Sequence, residues 1–84
     1  MNTFFVYIIY SQLLDRYYIG YTVDLEKRIA EHQKGISIYT SKASDWTLKH
    51  YELYPNRESA MQREREIKRK KSRKYIEWLV HSSV

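Results

Sequence analysis

Three polar side chains stand where helical spacing calls for apolar ones. Leu25, Arg28, Ile29 and His32 recur at i, i+3, i+4 and i+7, which puts them on one stripe of a helix. Leu25 and Ile29 mark that stripe as the inward face, so Arg28 and His32 are turned toward the interior. Ala60, Met61, Glu64 and Ile67 repeat the pattern, with Glu64 in the middle of the stripe. A charge withdrawn from water costs several kcal/mol unless it is paired or bound to a metal. One explanation is structural: an Arg28–Glu64 salt bridge between two helices, with His32 a hydrogen-bonded core histidine. The other is a functional site that these groups share. Three such residues next to a strongly basic helix favour a site, although spacing alone names no reaction.

Tyrosines supply a second set of polar groups. With an even number of residues between two antiparallel strands and no bulge, Tyr7 and Tyr18 share a sheet face. Gly20 then follows on that face, where a missing side chain leaves room for a close-approaching backbone or ligand. Tyr10, Tyr17, Tyr21, Tyr51 and Tyr54 are read as ordinary strand residues.

These residues need elements to position them. Phe4 to Tyr10 is aromatic and β-branched without polar alternation, which predicts a strand buried on both faces. Ser11 to Arg16 is a turn and Tyr17 to Tyr21 a second strand, together an antiparallel hairpin. Thr22 or Asp24 caps a helix running to Lys34, and Gly35 ends it. Ile36 to Asp45 is an irregular connection with room for a helical turn. Trp46 to Tyr54 is a third strand closed by Pro55. Asn56 caps a helix from Arg57 to about Lys70, and Ser72 caps a last one to about His81. The order ββαβαα predicts an α+β fold, a small three-stranded antiparallel sheet flanked by helices.

The chain has 84 residues, enough for one domain over residues 1–84 with a compact core. It has no cysteine, which excludes disulfides, thiolate nucleophiles and cysteine-ligated zinc and fits a reducing cytoplasm. Met1 to Phe5 lacks the basic start and long apolar core of a signal peptide, and the run Phe4 to Tyr10 is too short to span a bilayer. The expectation is a soluble, cytoplasmic protein. Between Arg57 and Lys74 nine Lys or Arg face three Glu, a local charge of +6; with the whole chain at +5, the remainder carries −1. A basic stripe beside a near-neutral body suits an anionic partner such as nucleic acid, and equally a solvated, salt-bridged helix face. A serine triad, a phosphate-cradling glycine loop and an HExxH helix are all absent from the sequence.

Phe5-Val6-Tyr7, ten residues, then Tyr18-Ile19-Gly20 resembles the paired signature of the GIY-YIG nuclease superfamily. Arg28 and His32 stand ten and fourteen residues after Tyr18, offsets similar to those of the family's helix with its Arg and its Tyr or His. Glu64, within Ser59-Ala60-Met61-Gln62-Arg63-Glu64, resembles the family's metal-binding glutamate. The likeness covers about residues 4 to 70 and is greatest to the small stand-alone branch; it extends to the N-terminal domain of the bacterial excision-repair incision subunit. The first motif keeps the tyrosine and loses the glycine, and Lys71 to Tyr75 offers no counterpart of the asparagine many members carry.

The resemblance implies an endonuclease that hydrolyses phosphodiester bonds with one Mg²⁺ or Mn²⁺ held by Glu64, in DNA repair or processing. Tyr7 would take a proton from the attacking water, Tyr18 position it, Arg28 face the phosphate charge and His32 orient or relay. A phenol with its ordinary pKa near 10 is scarcely ionised at pH 7, so Arg28 and a metal are expected to pull Tyr7 down. Arg63, Lys68, Arg69, Lys70, Lys71, Arg73 and Lys74 would engage the phosphate backbone, DNA in preference to RNA, with Trp46, Trp78 or exposed tyrosines available to stack on unpaired bases. A protein partner for targeting stays open, no membrane is implied, and oligomeric state is not readable. Two rival readings are an inactive nucleic-acid-binding module of the same fold and an interaction domain for an acidic protein.

Overall fold

The computed structural model describes residues 3–82; Met1 and Asn2, part of the stretch read above for a leader, lie outside them. The elements are β1 (Phe4–Ser11), β2 (Arg16–Thr22), α1 (Leu25–Gln33), β3 (Thr47–Tyr54), α2 (Arg57–Lys70) and α3 (Arg73–Ser82), the expected ββαβαα order. The strands form one antiparallel sheet, β2-β1-β3.

The continuous apolar run of β1 reflects its central place. Val6 and Ile8 pack with Ile19, Ala60, Ile67 and Leu79 on the α2 and α3 side. Tyr7 and Ile9 pack with Ala43 and Trp46 on the α1 side. Fully burying an isoleucine stabilises by about 2 kcal/mol, so this strand anchors both layers.

Local capping matches the sequence. Asp24 accepts from the Lys27 amide at 3.2 Å to start α1, and Gly35 follows its end at φ +75°. Asn56 accepts from the Ser59 amide at 2.9 Å to start α2, and Ser72 Oγ from the Tyr75 amide at 3.2 Å to start α3. The connection from 36 to 46 forms turns rather than a helical turn, and it contributes core: Thr40, Ala43 and Trp46 are buried. The Trp46 indole donates to the Thr40 carbonyl at 2.9 Å, so Trp46 precedes β3 and serves as a core residue.

Glu52 joins β3 to α2. It accepts from Arg63 Nε at 2.8 Å and Nη2 at 3.1 Å, from Tyr54 at 2.7 Å, and meets His50 at 2.8 Å. Burial pushes the carboxyl up, yet the bonds from Arg63, Tyr54 and His50 together hold it at about 2. A depressed acid stabilises the fold above its unfolded pKa of about 4.3, and that contribution disappears as pH falls toward 2. We expect about 2 kcal/mol of stability to be lost over that window, after allowance for partial solvent screening. Urea unfolding at pH 6, 4 and 2.5 checks this: Glu52→Gln should be less stable at pH 6 and lose less on acidification than the wild type.

Candidate active site

Register decides where the tyrosines go. Tyr7 pairs with Gly20 and Ile9 with Tyr18, so Tyr7 and Tyr18 share the α1 face of the sheet. The residues between Ser11 and Arg16 are four, the even number that parity requires. Gly20 is the steric reason the two phenols fit. A Cβ there would lie 2.6 Å from Tyr7 Oη, 2.8 Å from Tyr7 Cζ and 3.2 Å from Tyr18 Cε1. The vacated space thus accommodates the Tyr7 ring.

α1 carries the next groups. His32 is fully buried, with Nε2 2.8 Å from Tyr7 Oη and Nδ1 2.6 Å from Thr40 Oγ1. Its ring centroid is 5.8 Å from that of Tyr7 and 5.0 Å from that of Tyr18. Arg28, one turn earlier, stays partly exposed and pairs with Glu31 at 3.1 Å. The Arg28–Glu64 bridge contemplated from the sequence is replaced by that local pair.

Glu64 comes from the other layer. Ala60 and Ile67 lock α2 under the opposite sheet face, yet Glu64 reaches the same cleft at the β2 edge. The cleft, about 450 Å³, is lined by Tyr7, Tyr18, Gly20, Arg28, Arg57 and Glu64 among others. The Glu64 side chain is 19 % exposed, and its ion pair is a long one, 3.8 Å to an exposed Lys68 Nζ. This is a wet carboxylate, not one sealed in a dry pair. As a single carboxylate in an open cleft it suits a hard cation that keeps most of its waters, such as Mg²⁺ or Mn²⁺. Among the described residues no group of three or more His, Cys, Asp or Glu is placed to hold a metal, here or elsewhere.

Burial and Arg28 oppose each other at Tyr7. Burial pushes the Tyr7 phenol up to about 12, and Arg28, which does pull it down, is outweighed. Burial also raises Tyr18. Burial and then the Arg28 charge lower His32 to about 4, so its imidazole is neutral at pH 7.

Of the basic residues, Arg63 spends its donors on Glu52, Glu66 and Tyr75, and Arg73 on Asp15 and Glu77. Lys70 lies over the Tyr75 ring at 5.1 Å, while Lys68 lies 5.9 Å over Tyr18 beside the cleft. Arg69, Lys71 and Lys74 are exposed. Trp46 is core, and Trp78 is exposed beside Tyr75.

Two residues escaped sequence reasoning. Arg57 at the cleft rim was legible in principle, seven residues before Glu64 on the same helical face. Thr40 gave no such signal, because periodicity cannot place a hydroxyl in an irregular connection. Thr40→Val should cost about 1–3 kcal/mol by orphaning the buried His32 Nδ1, whereas Thr40→Ser should retain most of that stability. Urea midpoints and the His32 ring ¹⁵N shifts of the two variants check this.

A sequence profile described as the GIY-YIG catalytic domain matches residues 3–76. The chain belongs to the GIY-YIG family. It is 36% identical over 75 residues to a UPF0213 protein of Streptococcus pyogenes, covering 87% of this chain and 82% of that one. It is 43% identical over 53 residues to a UPF0213 protein of Halobacterium salinarum, covering 62% and 69%. Matches to UPF0213 proteins of Natronomonas pharaonis and Haloquadratum walsbyi span 61% and 58% of those relatives' lengths. The solution structure of UPF0213 protein BH0048 from Bacillus halodurans superposes with a TM-score of 0.59 at 34% identity, covering 94% of this chain and 83% of that one. Membership of the GIY-YIG nuclease family implies a nucleic-acid substrate, and GIY-YIG nucleases generally depend on a divalent metal. No helix among the described residues is long and apolar enough to cross a membrane.

Proposed function

We propose that this GIY-YIG domain is an endonuclease that hydrolyses nucleic-acid phosphodiester bonds, DNA in preference to RNA. The supporting observation is convergence: Tyr7 and Tyr18 from the hairpin, Arg28 from α1 and Glu64 from α2 line one open cleft. Glu64 would hold the Mg²⁺ or Mn²⁺, which supplies Lewis acidity to the phosphate and stabilises charge on the leaving oxygen. Arg28 faces the phosphate oxygens with a planar fork that lysine does not offer.

The proton route follows from Tyr7 and His32. Water attacks phosphorus as its proton passes to Tyr7 Oη, and the Tyr7 proton passes to His32 Nε2, 2.8 Å away. The P–O bond to the leaving group breaks, and the leaving oxygen takes a proton from solvent. A neutral His32 suits this because an imidazolium has no lone pair to offer. In the free protein the two groups, at about 12 and about 4, lie too far apart for easy transfer. Burial is the larger cause of the His32 depression and the Arg28 charge the smaller, and a bound phosphate would offset the second. A cation held by Glu64 would supply positive charge that favours the phenolate. Thr40 fixes the imidazole from behind.

The test is a panel of labelled flaps, forks, single strands, duplexes and RNAs, incubated with Mn²⁺ or with chelator. Cleavage with Mn²⁺ and none with chelator supports the reading. Salt-sensitive binding that ignores chelator, without nicking under any metal, would point instead to an inactive binding module.

A further inference from the structure

A second depression of about 320 Å³ lies against the same strand, lined by Arg16, Tyr17 and Ile19 of β2 and by Ile67, Lys68, Lys71, Ser72 and others of the α2–α3 elbow. The active-site cleft takes Tyr18, Gly20, Tyr21 and Thr22 of β2, so the two depressions divide the strand between them. Lys68 joins them: it lines the second, while its Nζ stands 3.8 Å from Glu64 Oε2 and 5.9 Å from the Tyr18 ring, both in the first.

The far wall is one face of α2 and the residue that ends it. Arg57, Glu64 and Lys68 are spaced by seven and four residues, the spacing of a single helical stripe, and Lys71, in the left-handed conformation just past the helix, lines the second depression. Arg57, Lys68, Lys71 and Arg16 are all exposed. The acids bordering the two depressions are Glu64 itself, Asp15 and Glu77, which Arg73 pairs at 2.6 and 3.1 Å, and Glu31, which Arg28 pairs at 3.1 Å. Arg69, Lys70 and Lys74 line neither depression, and Arg63 is held at Glu52 on another side of α2.

We propose that the groove between β2 and α2 is the track of the phosphodiester backbone. Arg57 holds phosphate on one side of Glu64, and Lys68, Lys71 and Arg16 hold it on the other. The occupant is a polyanionic strand because these four cations, with the acid-paired Arg28 and Arg73, border the two depressions beside a seven-residue strand, roughly 20 Å, room for several successive phosphates. This rests on the nuclease reading and sharpens it: a track predicts that position, not total charge, governs affinity. The richest cluster of basic residues in the sequence is then only partly used.

The experiment measures binding without turnover, by fluorescence anisotropy of labelled 15-nucleotide single strands and 15-base-pair duplexes in chelator, across a salt series. Lys68→Gln/Lys71→Gln removes two charges on the track, and Arg69→Gln/Lys70→Gln removes two from the same helix off it. Far-ultraviolet circular dichroism confirms that both variants fold. The track pair should lose about tenfold or more in affinity and flatten the log–log salt slope by about 1.5–2, while the off-track pair loses under a third as much. Equal losses in both pairs, a larger loss in the off-track pair, or wild-type protein that binds neither probe at 50 mM salt would overturn the track. Binding in chelator is independent of hydrolysis, so a positive result here stands even if no metal produces cleavage.

Discussion

Glu64→Ala should eliminate metal-dependent cleavage, by about three orders of magnitude or more, while leaving the fold intact. Metal-ion stabilisation of a phosphoryl transition state is worth several kcal/mol, and about 4 kcal/mol corresponds to roughly a thousandfold in rate. The loss falls on rate rather than on folding because the ion pair of Glu64 is a long contact, 3.8 Å, to a half-exposed Lys68. Ala60 and Ile67, which hold α2 on the sheet, are untouched. Single-turnover cleavage with saturating Mn²⁺, beside thermal unfolding of the same preparation, measures both quantities. Unchanged cleavage by a folded Glu64→Ala protein would reject the metal role.

The second large effect is expected at a residue with no side chain. In Gly20→Ala the new Cβ would meet Tyr7 Oη at 2.6 Å and Cζ at 2.8 Å. A flexible surface side chain would move aside at little cost. Tyr7 cannot: it is 1 % exposed, bonded to His32 at 2.8 Å and packed with Ile9, Ala43 and Trp46. Overpacking of this kind costs about 1–3 kcal/mol, and a shift of about 1 Å in a catalytic group costs about a hundredfold in rate. Gly20→Ala should therefore lose both stability and about a hundredfold in cleavage. Tyr7→Phe keeps the ring and loses the hydroxyl, so it should lose cleavage at a smaller cost in stability. A folded Gly20→Ala protein with wild-type rates would mean that the phenol at residue 7 is not where the chemistry happens.

The hairpin was legible because β1 has no polar alternation, and only a strand buried on both faces can be so apolar. Arg28 and His32 were legible as inward-facing because Leu25 and Ile29 fix the helix face. Glu64 was legible for the same reason, through Ala60 and Ile67. Periodicity gave the side of each helix but not the distances. It left open whether Arg28 met Glu64, and the structure gives Arg28 to Glu31 instead. It could not separate Arg63, which braces β3, and Arg73, which lines the groove but is paired with Asp15, from Lys68 and Lys71, which line it exposed. That burial outweighs Arg28 at the Tyr7 phenol was not legible, because charges can be counted in a sequence and burial at a single atom cannot. Thr40 was missed because the connection from 36 to 46 follows no repeat.

Paramagnetic broadening by Mn²⁺ in ¹H–¹⁵N spectra tests the convergence of these groups most directly, without any need for turnover. Sub-stoichiometric Mn²⁺ should broaden the amides of Tyr18, Gly20, Tyr21, Arg28 and Glu64 first, and Glu64→Ala should abolish that pattern. Broadening centred on Asp15 and Glu77, or on Glu52 and Glu66, and unaffected by Glu64→Ala, would contradict a metal-dependent active site at the β2 edge.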